Sequence, residues 1–583
     1  MVSAAEEGFL GQFLGRVLDR RIVRPQALVY GLDDIPAPAA TIGLALQHVA
    51  IQSVNFVIPA VLAGSLSSDP LDAGRFLCLS ILAAAAWQAL QLLTRGPLGS
   101  GYPIPATHTA SLVGAYAITG LAGLSFGAAG AMLILTGIAC AMLTFVMHRL
   151  RLVLPNEVSG VVIILIGVAL VMLATQRMGM QPGGKLPDGS AVFVLFGSLL
   201  VMVVVALIRT RVAPFAVLIG MLVGTPLAIA FGHGYPDAAA RLAESPWIAV
   251  PQPWLPRFDE VSPVPLLAFL VAIVALKASA MGNIVVLQRA SDAGWTRPDA
   301  PPIRRGLLAN GVGIIVAGLT GGACPGPATA GVGLSVMTGT LARRIVWAGS
   351  AILLAAAMCP KLAMLFVLMP EPIKAATLFY TAGFIMAHGA TLVTSRLLDT
   401  RRMLIVAFGL SSGIAVAVAP QAFVASVPVL ASPLAIGAVV AFLMNICTLP
   451  MVSRRTQIEV PLDSEALTRL GDWIRELAGS WALKPQTGTA TEQALFELAD
   501  LFMERGVTLL TLGARLAEDR IEITLTWSGA PLPERPKMAI ASDLMGDDDA
   551  RARFSLWLAT RQAQGFRQRQ VPGGNEVWLA FED

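Results

Sequence analysis

Long apolar runs, separated by short charged connections, recur along the first three quarters of the chain. About 20 consecutive apolar residues suffice to cross the hydrocarbon core of a bilayer as a helix. The pattern therefore predicts an all-α polytopic membrane protein with fourteen spans. The predicted spans cover residues 40–62, 75–93, 99–120, 127–147, 156–174, 192–208, 212–231, 264–284, 306–319, 322–340, 345–358, 373–392, 403–418 and 433–449.

Two of these spans, the third and the tenth, are interrupted by proline and glycine. The third carries Pro103-Ile104-Pro105-Ala106-Thr107, and the tenth repeats the pattern as Pro325-Gly326-Pro327-Ala328-Thr329. Proline removes a backbone donor and glycine loosens the backbone, so we expect both segments to be broken there. Inside a bilayer, such backbone is tolerated only where protein or a watery cavity covers it. Paired broken segments in two halves of a chain indicate a transporter binding site.

The spans divide into two sets of seven, over residues of about 40–232 and 263–452. An odd number of spans inverts the second copy, so the pattern predicts two inverted repeats. The extended pieces of the two broken spans should then pair with each other, and the helices that follow them should point their N-terminal ends at one place. Free N–H groups and the partial positive charge of these ends would suit an anionic or acceptor-rich small molecule.

The distribution of arginine predicts the orientation, because cytoplasmic loops are enriched in Lys and Arg. With the leader 1–39 and both termini in the cytoplasm, the loops after even-numbered spans face the same side. Those loops carry Arg95, Arg149, Arg151, Arg209, Arg211, Arg289, Arg304, Arg305, Arg343, Arg344, Arg396, Arg401, Arg402, Arg454 and Arg455. The loops after spans 3, 9 and 13 carry no Lys or Arg.

Composition excludes a soluble enzyme, since 55% of the 583 residues are hydrophobic and only 13% are charged. The sequence contains no nucleophile–base set, metal-ligand cluster or phosphate loop, so we expect no catalytic residues, no metal and no cofactor. Its five cysteines are interpreted as small buried hydrophobes. We expect the lipid bilayer and a small-molecule substrate as partners, with a homodimer and no nucleic acid.

Several motifs of residues 28–455 together resemble the nucleobase–ascorbate transporters (xanthine/uracil permeases). They are Tyr30–Pro36, Leu46–Val49, Arg95–Tyr102, Leu154–Gly160, Arg305–Gly311, Gly331–Leu334 with Thr338, Gly339 and Arg343, and then Pro360-Lys361 and Met369-Pro370. The resemblance implies fourteen spans in a core and a gate domain, with substrate held between spans 1, 3, 8 and 10. It also implies rocking or elevator-like movement coupled to H⁺ or Na⁺.

The repeated broken segments, the polar residues within spans and the resemblance together indicate a set of candidate substrate-binding residues: Gln47, His48, Thr107, His108, Ser279, Asn283, Thr329, Ala330 and Gly331. The family signature has Glu or Gln followed by Asn where this chain has Ala330 and Gly331. Span 8 of the family carries Glu where this chain has Ser279, with Asn283 one helical turn away. The carboxylates that grip a nucleobase and carry a proton are therefore missing.

Other interpretations of these residues stay open. Gln47 and His48 would either face a cavity or join two helices by a hydrogen bond. His108 would contact substrate, shuttle a proton or pack between helices. Thr107 and Thr329 would each cap a helix or touch substrate, with capping favoured.

Lys277 lies inside span 8, where a charge is costly unless it is paired or hydrated. It is a possible charge site for an anionic substrate. Alternatively, its side chain reaches a watery gap or backbone carbonyls.

Residues 456–583 have the charged composition of a cytoplasmic α+β domain. Helical periodicity covers 463–478 and 491–505, and strand-like alternation covers 520–527 and 575–581. The segment weakly resembles the histidine-kinase-like ATPase domains of anti-sigma-factor kinases. However, Leu501 stands where that fold binds magnesium through Asn, and Trp527 where it reads the nucleotide through Asp. The resemblance therefore implies a degenerate, ATPase-like domain.

Two functions remain in view. The first is a secondary active transporter of the inner or plasma membrane that moves a purine or pyrimidine nucleobase or a related small anion. The second is a membrane sensor that keeps the transporter fold and signals through its C-terminal domain.

Overall fold

Apolar helices make up most of the chain in the computed structural model, which describes residues 23–150, 156–179, 187–208, 212–295, 298–395, 398–419, 432–448, 454–481, 483–517, 520–534 and 548–582. The helices of the first part are α1 Pro38–Ser53, α2 Val57–Leu66, α3 Pro70–Gln91, α4 Val113–Leu121, α5 Phe126–Leu150, α6 Asn156–Arg177, α7 Gly189–Leu207, α8 Ala216–Ala230 and α9 Ala238–Glu244. Those that follow are α10 Pro263–Val271, α11 Ile273–Ser291, α12 Ala300–Thr320, α13 Thr329–Thr338, α14 Arg343–Ala357, α15 Pro360–Val367, α16 Glu371–Val393, α17 Thr400–Val418 and α18 Pro433–Thr448.

Each of the fourteen predicted spans contains a helix. In the described part of the chain, ten helical stretches are long and apolar enough to cross a bilayer, or eleven if the bent pair α14–α15 forms one span. Three shorter apolar helices lie at Ala110–Leu121, Thr329–Thr338 and Pro433–Thr448. The first two belong to the broken spans and are short because part of each span is extended. Helix α15 was not predicted from the sequence. It follows α14 after a bend of 81°.

Spans 1 and 8 are each interrupted within their length. A 3₁₀ turn, Val54–Phe56, separates α1 from α2. Ala272 separates α10 from α11. The interruptions fall in spans that correspond to each other in the two predicted repeats, as the broken spans 3 and 10 also do.

Two glycine pairs bring α5 and α12 into close contact. A Cβ on Gly130 would lie 2.7 Å from the Gly318 carbonyl oxygen, and a Cβ on Gly318 would lie 2.5 Å from the Gly130 carbonyl oxygen. Gly137 and Gly311 have the same reciprocal relationship, at 2.8 and 3.0 Å. Lipid is as apolar as the helix surfaces, so the hydrophobic effect does not drive helices together inside a bilayer. Small residues at such positions let two helix backbones approach closely and pack instead.

By internal contacts the chain forms two units. The first comprises Met1–His148, Ser159–Ala390 and Gly409–Val439, and the second comprises Arg149–Val158, Thr391–Phe408 and Val440–Asp583. The second unit contains the C-terminal domain.

The C-terminal domain is a five-stranded antiparallel sheet with helices packed on one face. Its strands are β3 Arg454–Pro461, β4 Leu509–Ala517, β5 Arg520–Trp527, β6 Gly565–Val571 and β7 Gly574–Glu582, in the order β3-β4-β5-β7-β6. Its helices are α19 Ala466–Ser480, α20 Pro485–Glu504 and α21 Asp548–Thr560. The two helices and two strands predicted here are present, which confirms the α+β character. The sequence missed β3, β4, β6 and α21.

Candidate functional site

The two broken segments meet as a short antiparallel pair of strands, β1 Ala106–His108 and β2 Pro325–Pro327. Thr107 lies opposite Gly326 in the register. Beyond the strands, Ala328 N donates to the Pro105 carbonyl at 2.8 Å, and Thr109 N donates to the Cys324 carbonyl at 3.1 Å. Because proline and glycine prevent these segments from being helical, their backbone N–H and carbonyl groups need other partners, and these hydrogen bonds supply them. The predicted pairing of the two extended pieces is confirmed.

Polar side chains of α3 hold both broken segments in place. Gln88 Oε1 accepts from Ala106 N at 2.7 Å, and Ser80 Oγ accepts from Ala323 N at 2.8 Å. The Gln88 amide is oriented in turn, because its Nε2 donates to the Val346 carbonyl at 2.9 Å and to Ser350 Oγ at 3.0 Å. A single helix therefore positions the start of β1 and the approach to β2.

Sequence reasoning missed this role of α3. The signal was present, since Ser80, Gln88 and Gln91 lie eight and three residues apart in an otherwise apolar span. Those spacings put the three side chains on roughly one face of a helix. All three are buried, and Gln91 Nε2 also donates across to another span, at the Gly306 carbonyl, at 2.9 Å.

Asn283 of α11 contacts the start of α13 directly. Its Nδ2 donates to Thr329 Oγ1 at 3.1 Å and to the Ser279 carbonyl, one turn earlier on its own helix, at 2.8 Å. Spans 8 and 10 are thus joined by candidate residues that the sequence had singled out separately. Ser279 itself is half-buried.

The first residues of α13 are open and uncapped. Thr329 and Ala330 are exposed, whereas Gly331 is buried beneath Pro105, where an added Cβ would lie 3.0 Å from Pro105 Cγ. Within the described parts of the chain, no side chain caps this helix end. The N–H groups of its first turn therefore remain available as donors, and the partial positive charge of the helix end is not offset by an acid.

The expectation that Thr107 and Thr329 cap the two helices is wrong. Thr107 lies within β1, and it is Thr109 whose side chain accepts from Ser111 N at 3.2 Å at the next turn. Thr329 is the first residue of α13, past the capping position, and its hydroxyl accepts from Asn283 instead. Thr107 is taken up by the strand, and α13 begins one residue too early for Thr329 to occupy its capping position. Thr107 Oγ1 is buried, with no hydrogen-bond partner among the described residues.

Two histidines border the crossing. His108 is buried in β1, and its ring packs edge-on against Phe56 at 5.7 Å between centroids. His48 of α1 is buried, and its Nε2 lies 3.3 Å from Ser335 Oγ of α13. That contact is the interhelical hydrogen bond left open by the sequence. Gln47 is half-buried on the neighbouring face of α1.

Lys277 points to a different set of neighbours. Its side chain is 1% exposed, and its Nζ donates to Thr144 Oγ1 of α5 and, at 3.1 Å, to the Leu307 carbonyl of α12. The partners of Asn283 lie instead on α11 and α13. The interpretation of Lys277 as a lysine that reaches a backbone carbonyl is confirmed, and the ammonium is already bonded within the protein.

The crossing therefore gathers neutral groups. Backbone donors come from the start of α13, while hydroxyl and amide groups come from Thr329, Asn283 and Thr107. No carboxylate belongs to the candidate set, and the described residues hold no cluster of three metal-ligating side chains. Such a site suits a planar ligand with several hydrogen-bond acceptors.

A sequence profile of the xanthine/uracil permeases, described as the permease family, matches residues 39–422, more than half of the chain. The chain belongs to this permease family. It is therefore an integral membrane transporter rather than an enzyme. The match begins just before span 1 and includes both broken segments and every candidate site residue.

The permease is similar to curated relatives over most of their lengths. It is 24% identical over 402 residues to "Uric acid permease PucJ" of Bacillus subtilis (strain 168), covering 65% of this chain and 85% of the relative. It is 24% identical over 419 residues to "Xanthine permease XanP" of Escherichia coli (strain K12), covering 67% of this chain and 88% of the relative.

Among solved structures, the permease shares its fold with the murine anion transporter Slc26a9 in the inward-facing state. The TM-score is 0.52 at 12% identity, covering 78% of this chain and 77% of Slc26a9. An identity this low relates the folds alone.

Proposed function

We propose that this permease is a secondary active transporter for a purine or pyrimidine nucleobase, of the xanthine or uric acid kind, or for a related small anion. The observation that carries the proposal is the exposed, uncapped start of α13, held against Asn283 by the crossing of the two broken segments. Purine bases such as xanthine and uric acid carry several carbonyl acceptors on a planar ring, which match backbone and amide donors. The relatives named for uric acid and xanthine support this substrate class.

In this proposal, substrate lies between spans 1, 3, 8 and 10. Ala330 and Gly331 contribute backbone N–H groups, and Thr329, Asn283 and Ser279 contribute polar side chains. Thr107 brings a buried hydroxyl that has no partner in the described structure. Gln47, His48 and His108 border the site. Without an acid, the grip on substrate depends on backbone geometry more than on charge.

We also propose the membrane arrangement that the sequence predicts. The fourteen predicted spans form two inverted repeats of seven. Both termini lie on the cytoplasmic side of the inner or plasma membrane. The paired strands β1 and β2 and the matching interruptions in spans 1 and 8 support the repeat. The arginine-rich loops after even-numbered spans support the orientation. We expect a homodimer.

Uptake by proteoliposomes containing the full chain tests the proposed function. Labelled xanthine, urate, uracil and simple anions would be offered separately, with empty liposomes as the control. Saturable uptake of a nucleobase or an anion, competed by its unlabelled form, is the expected result. A ligand that binds the purified chain but is never taken up would contradict the transporter function.

The second candidate function, a sensor with a transporter fold, is favoured by one feature. A folded C-terminal domain with its own hydrophobic core follows the membrane helices. If the domain is a degenerate ATPase-like module, Leu501 and Trp527 occupy its two nucleotide-contact positions, and both are buried in that core. A domain of this kind would relay or receive contacts rather than hydrolyse ATP. Binding without uptake in the proteoliposome experiment would select this function.

A further inference from the structure

Lys277 is a fully buried ammonium, and no carboxylate in the described part of the spanning helices balances it. In the described spanning helices the carboxylates are Asp72, Glu157 and Glu371, and each lies in the first turn of its helix. They have partners elsewhere, on Ser67, Arg402 and Lys374 respectively. A buried charge without a counter-charge is costly in a membrane protein and marks a functional position by default.

The groups around the Lys277 ammonium are neutral acceptors. Thr144 Oγ1 donates its own proton to the Cys140 carbonyl at 3.2 Å, so its lone pairs are free to accept from Nζ. The Leu307 carbonyl can only accept. A hydroxyl and a backbone carbonyl are also the oxygen ligands that hard cations prefer in proteins. Lys277 therefore occupies an environment that suits a bound monovalent cation.

The helices that build this environment are fixed relative to each other. The reciprocal contact of Gly137 and Gly311 holds α5 against α12. Thr144 and Leu307 extend from that contact and present their oxygens to α11. The two oxygens therefore belong to helices, α5 and α12, that are in close contact. The third helix, α11, carries both Lys277 and the candidate substrate residue Asn283.

We propose that the Lys277 ammonium is a resident cation, which fills a Na⁺-type site between spans 4, 8 and 9 and makes the transport cycle independent of Na⁺. The proposal rests on the proposed function for its consequence on transport, whereas the occupancy of the site stands separately. Removing the side chain to Cβ leaves a buried space beside two neutral oxygens, Thr144 Oγ1 and the Leu307 carbonyl, that Na⁺ can enter. Replacing it with an uncharged chain of similar length fills this space without supplying charge.

Thermal stability of the full, detergent-purified chain tests the occupancy. Lys277→Ala and Lys277→Met would each be compared in NaCl and in choline chloride at equal ionic strength. Lys277→Ala is expected to gain a few degrees in NaCl only, since Na⁺ stabilises the state that binds it. Lys277→Met and the wild type are expected to gain nothing. Lys361→Ala serves as the control, because its ammonium lies over the Trp247 ring instead.

Two outcomes of the stability experiment would overturn the proposal. One is a Lys277→Ala variant that folds and shows no Na⁺-specific gain, and the other is a wild type stabilised by Na⁺ as strongly as the variant. Should neither Lys277 variant fold, the wild-type measurement still decides, because a wild-type Na⁺ site contradicts a resident cation.

Uptake then tests the consequence for transport. Wild-type uptake is expected to be unchanged when choline replaces Na⁺, and uptake by Lys277→Ala is expected to require Na⁺. Wild-type uptake that falls severalfold without Na⁺ would overturn the proposal. If the wild type takes up no ligand at all, the transporter function fails, while the stability experiment still decides whether Lys277 occupies a cation site.

Discussion

Asn283 and Thr329 are joined by a hydrogen bond of 3.1 Å from Nδ2 to Oγ1, which links span 8 to the first residue of the helix after the second broken segment. The sequence suggested each residue as a substrate contact but gave no reason to pair them. Asn283 is also tied to its own helix through the Ser279 carbonyl. The orientation of Asn283 is therefore set by the protein before any substrate arrives, which reduces the entropy lost on binding.

Thr329→Val should weaken substrate binding about tenfold, because the Asn283 amide loses its acceptor and the open helix end loses a hydroxyl. Thr329→Ser keeps the oxygen and should bind nearly as well as the wild type. Equilibrium binding of labelled substrate to the purified chain measures both. Equal losses in the two variants would indicate a packing role for the threonine, and no loss in either would remove it from the site.

Gln88→Leu should destabilise the chain by about 1–3 kcal/mol, since the buried N–H of Ala106 loses its acceptor. The thermal midpoint of the purified chain measures the change. Leu222→Ala, at an exposed position on α8, is the control and should leave the midpoint nearly unchanged. A Gln88→Leu variant as stable as the wild type would contradict the assignment of α3 as the support of both broken segments.

Gly311→Ala should also destabilise the chain, by about 1–3 kcal/mol, because α5 and α12 would have to move apart. An added Cβ meets the Ala141 backbone nitrogen at 2.9 Å and the Gly137 carbonyl oxygen at 3.0 Å, and neither is a side chain that can rotate away. Gly197→Ala is a matched control on a membrane helix, since its Cβ meets nothing within 4 Å. Similar midpoints for the two variants would argue against close α5–α12 packing.

Mg²⁺-ATP should not stabilise the full chain. Leu501 and Trp527 pack in the core of the C-terminal domain, and the Trp527 indole N–H donates to the Ala530 carbonyl at 3.1 Å. Neither residue offers a ligand for magnesium or for an adenine ring. A thermal-shift titration with Mg²⁺-ATP, with Mg²⁺ alone as the control, measures this. A saturable shift with the nucleotide would show that the domain still binds ATP.

The membrane helices could be predicted from the sequence because their signal is local. A run of apolar residues is enough to predict each helix. The broken spans can be recognised from the pattern of proline and glycine repeated at Pro103–Thr107 and Pro325–Thr329. In the C-terminal domain, β5 could be predicted because its apolar and polar residues alternate, whereas the alternation of β4 is weaker, since Leu509 stands beside Leu510 and Gly513 contributes no side chain.

The pairing of the two extended pieces could be predicted from the repeat, whereas the partners of most polar side chains in the candidate site could not, because these contacts join unrelated positions far apart in the chain. Gln88 meets Val346 across 258 positions, and Ser80 meets Ala323 across 243. The Lys277 side chain is oriented by the backbone carbonyl of Leu307. Every residue has a backbone carbonyl, so the sequence does not show which one a lysine will contact. Periodicity assigns a side chain to a face of a helix, but only packing determines which neighbour that face meets.

We propose that substrate is held at the start of α13, between the two broken segments and Asn283. A structure of the full chain with bound xanthine or urate is the decisive measurement. We expect ligand density within hydrogen-bond distance of the backbone N–H groups of Ala330 and Gly331, and beside Asn283. Density elsewhere, for example against Lys277 between α5 and α12, with the start of α13 empty, would contradict it.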